Sequence, residues 1–105
     1  MKKQQATDCG RQHPQPNCIC KACCDSRLVF DRAQNLDGMT PADLQEYITQ
    51  ISIVAKSSND WLLLRYARVK QDAMKHRAAG MIGKALQLEA DCEKIYRQLP
   101  RELQW

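Results

Sequence analysis

Four of the six cysteines in this 105-residue chain fall in one heptapeptide, Cys18-Ile-Cys20-Lys-Ala-Cys23-Cys24, and another, Cys9, stands upstream of it. A thiolate can be a nucleophile, half of a redox couple or a metal ligand, and spacing helps to separate these roles. Cys20 and Cys23 have the CxxC spacing, which lets two thiolates hold one ion while the intervening amides point at sulfur. Zinc takes four donors in a tetrahedron, and in structural sites they come from Cys and His. The pattern therefore predicts a zinc knot with Cys9, Cys18, Cys20 and Cys23 as ligands. His13 is the first reserve. Cys24 comes after it, because adjacent residues rarely reach one ion without strain. The same thiolates could carry an iron–sulfur cluster, Cys20 and Cys23 could form a redox pair, or all could be unliganded. Ligation would add folding free energy that a tail poor in apolar residues lacks.

Other chemistry is sparse. No phosphate-binding loop, Ser/His/Asp set or carboxylate pair is present, and His76 has no cysteine or carboxylate spaced around it for catalysis. An enzyme is not expected. Lys2 and Lys3 are followed by no apolar run, so the N-terminus does not read as a secretory signal, and no stretch approaches the ~20 apolar residues of a membrane span. A cytoplasmic protein without membrane contact is expected, and in a reducing compartment clustered cysteines favour metal over disulfide.

The net charge of +4 is unevenly spread: +3 over residues 1–24, −2 over 25–58 and +3 over 59–105. Arg65, Arg68, Lys70, Lys75, Arg77 and Lys84 face only Asp72 in their stretch. Such a row can be solvated surface, can dock an acidic protein surface, or can track phosphates about 21 Å along a helix from Lys70 to Lys84. Against nucleic acid, Tyr66 is the only aromatic within it and no binding motif is recognisable.

The elements that must position these residues read as helices. Aromatics are 6%, glycine and proline number four each, and the second half is rich in helix formers. The expected fold is all-α: a long C-terminal helix packed in a hairpin with a shorter helix, plus an irregular Cys-rich segment over 1–24. Within the helical domain, 25–105, Asp25 or Ser26 can cap a helix over 26–36, with Leu28, Val29, Ala33 and Leu36 on its inner side. Thr40, Pro41 and Asp43 start a helix over 41–56, and Ser57 with Asp60 forms a capping box for the next. Tyr47 and Trp61 are the expected core anchors, and Trp105 either folds back or docks elsewhere.

From Leu64 a heptad seam runs through Ala67, Gln71, Met74, Ala78, Met81, Ala85, Leu88, Cys92, Ile95 and Leu99. Its phase survives Gly80 and Gly83, which predicts one helix over 60–98 ended by Pro100. Cys92 then reads as a small buried hydrophobe. The shorter helix covers only the first half of such a seam. Ala78, Met81, Ala85, Leu88, Cys92 and Ile95 would need another cover: the 26–36 helix, Leu103 and Trp105, or a second copy in an antiparallel coiled-coil dimer. The functional expectation is a non-catalytic binding protein, a stoichiometric inhibitor or regulator of the kind found among phage and mobile-element products such as anti-CRISPR proteins. A zinc-containing nucleic-acid regulator and a cysteine redox sensor are the alternatives.

Overall fold

A computed structural model describes residues 9–105. The first eight residues of the polar tail lie outside the described residues. Among those described there are helices and turns but no strand, in the order α1 (Lys21–Arg32), a 3₁₀ turn (Ala33–Gly38), α2 (Pro41–Val54), α3 (Ser58–Ala78), α4 (Ile82–Gln98) and a closing 3₁₀ turn (Arg101–Leu103). The all-α class and the helical hairpin expected from sequence are both present. No helix among the described residues is long and apolar enough to cross a membrane.

Local chemistry sets the boundaries of α2 and α3. Thr40 accepts from the Asp43 amide while the Asp43 carboxylate accepts from the Thr40 amide, and Ser57 and Asp60 repeat the arrangement. Each box satisfies two amides that the first helical turn would leave unpaired. Asp60 goes further. It is fully buried, and its carboxylate accepts from the Ser26 hydroxyl of α1 and from the Lys56 and Ser57 amides. A buried carboxylate is tolerable only when its oxygens are paired this way.

The continuous helix predicted over 60–98 is not what forms. The chain breaks at Ala79–Met81, and α4 folds back antiparallel onto α3. Gly80 is the cause: its φ is 83°, the Met81 amide bonds back to the His76 carbonyl at 2.9 Å, and the Gly80 amide to the Arg77 carbonyl at 3.1 Å. This is a Schellman stop, which needs a left-handed residue that glycine adopts without a Cβ clash. The heptad phase survives because a hairpin needs the same pattern: the two halves of one seam face each other. Leu64 and Ala67 on α3, and Ala85, Cys92 and Ile95 on α4, are buried within one chain. These seam residues find their cover within the chain, whereas Ala78 and Met81 stay exposed.

The main core joins Val29, Phe30, Ala33 and Leu36 to Leu44, Tyr47, Ile48 and Ile51 of α2, to Leu63, Leu64 and Ala67 of α3, and to Leu99. Tyr47 is the anchor expected; its hydroxyl donates to the Val29 carbonyl and the Arg32 guanidinium sits 5.2 Å over its ring. Trp105 folds back. Its indole meets Tyr66 and Tyr96 edge-on at 5.1 and 5.0 Å, a favourable aromatic geometry. Two expected core residues are outside: Trp61 is 52% and Leu28 59% exposed. At the hairpin tip Ala78, Met81, Ile82 and Leu86 are exposed, because α2 ends its cover near Gln71, whose amide reaches the Pro41 carbonyl. The projecting arm lengthens the molecule to 62 × 25 × 17 Å with a radius of gyration of 15.3 Å, against about 13 Å for a compact chain of this size.

Candidate metal centre

The cysteine knot is built on the start of α1, earlier than the predicted cap at Asp25 or Ser26. Cys20 is the N-cap, in extended conformation, and its sulfur accepts from the Cys23 amide at 3.3 Å. The CxxC spacing thus places the Cys20 sulfur at the cap, where the Cys23 amide and the helix dipole favour thiolate, and the Cys23 sulfur a turn into the helix. That was readable in principle, since the cap geometry of Ser and Asp also suits Cys.

The sulfurs of Cys9, Cys18, Cys20 and Cys23 all lie within 4.8 Å of one another. Cys9 and Cys23 are 3.7 Å apart, beside the ~3.8 Å that tetrahedral angles and Zn–S bonds of about 2.3 Å require. The Cys20 amide points at the Cys18 sulfur at 3.4 Å, and the Gln15 amide at that of Cys23, also at 3.4 Å. Every cysteine is free. The donor set fits one tetrahedral ion: four soft donors, N–H groups aimed at three of the sulfurs, and Cys20 and Cys23 buried.

The four predicted ligands are thus brought together, and the two reserves are not part of the set. His13 is nevertheless buried, 1% exposed, with Nδ1 3.2 Å from the Cys23 sulfur. A thiolate can only accept, so this contact would be a hydrogen bond to a ligating Cys23 in the tautomer with the proton on Nδ1. The His13 carbonyl accepts from Ser57 Oγ and Asn59 Nδ2, both at 3.1 Å, which ties the knot to the start of α3. Cys24 lies on α1, half-buried, its sulfur 3.6 Å from an Arg27 nitrogen. Arg27 had no sequence signal. It donates to the carbonyls of Gln15, Pro16 and Cys18 and so clamps the loop that carries the ligands.

With protons in place of metal, the thiols compete. Burial disfavours a charge on Cys20, but the Cys23 amide and the neighbouring thiols of Cys18 and Cys23 outweigh it and lower Cys20 to about 6. Burial pushes Cys23 up to about 12, against the Gln15 amide and helped by proton sharing with Cys20. Cys20 therefore holds a thiolate readily, whereas Cys18 and Cys23 do so at a cost, which a cation removes.

The basic row is divided by the hairpin. Lys70 pairs with Asp37 at 2.9 Å, and Arg77 holds Glu89 with contacts down to 2.8 Å. Lys84 lies beyond the turn on α4, so the row does not run from Lys70 to Lys84 as one track. Arg65, Arg68 and Lys75 are exposed and have no ion pair among the described residues. Of the seam residues, Ala85, Cys92 and Ile95 are buried and Leu88 is half-buried, while Ala78 and Met81 are exposed. No protein-family model, curated protein or solved structure matches the chain.

Proposed function

We propose that this is a non-catalytic binding protein whose N-terminal knot is a structural zinc site. The observation that carries the reading is the closed donor set: Cys9, Cys18, Cys20 and Cys23 supply four sulfurs within 4.8 Å. Four protein thiolates fill a tetrahedron, whereas catalytic zinc keeps a position open for water or substrate. A multi-iron cluster would need its thiolates farther apart than one ion does, so a single ion suits this spacing better. The knot's role is then to hold residues 9–20 on the corner made by α1 and the start of α3. The protein acts by stoichiometric binding to a macromolecule rather than by turnover. Native mass spectrometry of protein purified without added metal tests the zinc site. One zinc per chain is the expected result; a chain without metal, or one carrying iron and sulfide, overturns it.

A further inference from the structure

The open face of α3 carries an arrangement that the metal centre does not use. Trp61, Arg68 and Lys75 recur every seven residues, nearly two turns, and so stand in one row about 21 Å long; Arg65, a turn from Trp61, borders it. Lys70 and Arg77, the cations with ion pairs, form a separate row on the side of α3 toward α4. The fold thus sorts the cations of α3: one side neutralises acidic groups, and the other leaves three charges in solvent beside a half-exposed indole. Asp72 is the one exposed carboxylate of α3 and lies between Arg68 and Lys75. At the head of the row is an open notch of about 270 Å³ between the knot and α3, lined by Arg11, Lys56, Ser57 and Ser58. Arg11 and Lys56 are exposed, and Arg11 belongs to the loop that the metal would order.

We propose that this face binds single-stranded nucleic acid, with Arg65, Arg68 and Lys75 on successive phosphates and Trp61 stacking a base. A cationic track with an exposed aromatic is what unpaired strands require: each base offers a π-face, and the cations release condensed counterions. An acidic protein would meet the cations equally well but would make no comparable use of a solvent-facing indole. The proposal rests on the binding-protein reading. It does not rest on zinc, because the α3 residues belong to the helical body.

The test uses the full chain, loaded with zinc, and fluorescein-labelled dT20 and rU20 at 50 mM salt, followed by anisotropy and by Trp emission. Trp105 is packed between two tyrosines, so quenching should come from Trp61. Binding should weaken with salt at a slope of about −0.7 for each phosphate contacted, hence about −2 for the three α3 cations and up to about −3.5 with Arg11 and Lys56. Trp61→Ala should cost about ten-fold in affinity and Trp61→Phe much less. Arg68→Gln should reduce the slope by about 0.7, whereas Lys70→Gln and Arg77→Gln should leave affinity within two-fold. Circular dichroism on each variant confirms the fold. Absence of binding at 50 mM salt overturns the proposal. So does equal sensitivity to all cations, preference for duplex over single strand, or displacement by polyaspartate as effective as by unlabelled dT20. Binding that persists in a chain stripped of zinc leaves this inference standing even if the metal reading fails.

Discussion

At the residue scale, the cysteines divide into three chemical situations. Four converge as candidate ligands, Cys24 stands beside the Arg27 guanidinium, and Cys92 is buried with its thiol directed at the Tyr66 carbonyl. Burial raises Cys92 to about 11, with Lys70 opposing it weakly. At pH 8 its thiolate is therefore scarce as well as shielded. In zinc-loaded protein treated with iodoacetamide, peptide mapping should find Cys24 modified first and Cys92 last, with the four ligands protected until a chelator is added. Early labelling of Cys9 or Cys18 would contradict the ligand set. His13 is the second discriminating residue. Removing an outer hydrogen-bond partner typically weakens a metal site about 10–100-fold, so His13→Ala should lose that much zinc affinity in competition with a chromophoric chelator while still binding one ion. Cys24→Ser should change nothing.

At the element scale, the hairpin turn and the cap of α3 carry opposite kinds of information. A Cβ at Gly80 would meet no atom within 4 Å, so the cost of Gly80→Ala is purely that of holding φ 83°. That cost is about 1 kcal/mol. In an unbroken helix the same change would instead stabilise by about 1 kcal/mol, so the sign measured by urea denaturation distinguishes the two architectures. Ser57 caps α3 through the Asp60 amide and also donates to the His13 carbonyl. Ser57→Ala should lower stability by about 1 kcal/mol through the cap and should loosen the knot as well. The predicted signature is a fall in melting temperature of about 4–8 °C together with faster zinc release. A pure cap effect would leave the release rate unchanged.

At the scale of the whole molecule, the knot and the core are separate packing units. Cys20, Ala22 and Cys23 cluster with Cys9 and Cys18, and none of these belongs to the core formed by α1, α2, α3 and Leu99. Removing zinc should therefore release residues 9–20 and fray the start of α1 while far-UV dichroism keeps most of its helical signal. Hydrogen exchange that rises throughout α2 and α3 on chelation would show that the metal supports the entire fold. Away from the exposed tip at Ala78 and Met81 the seam is closed by α3 and α4 themselves, and Trp105 covers their base. Sedimentation at micromolar concentration should accordingly give an elongated monomer; a dimer would place the exposed Met81, Ile82 and Leu86 in an interface.

Residue type and spacing alone determined the helical class, the helix start at Thr40, the Ser57–Asp60 capping box, the burial of Tyr47 and Cys92, and the four candidate ligands. These depend on contacts within a few residues, on a periodicity of one face, or on the chemistry of sulfur. The break at Gly80 was not legible, because an antiparallel hairpin and one long helix demand the same apolar phase. Only the return of α4 onto α3 separates them. The exposure of Trp61 was hidden for a related reason: its neighbours in sequence are apolar, but which side of α3 meets α2 is decided by the packing of the chain as a whole. His13 and Arg27 gained their places around the sulfurs through contacts that bring together the loop, α1 and the start of α3. The same packing left Arg65, Arg68 and Lys75 in solvent while pairing Lys70 and Arg77, a division of one basic stretch that composition cannot express.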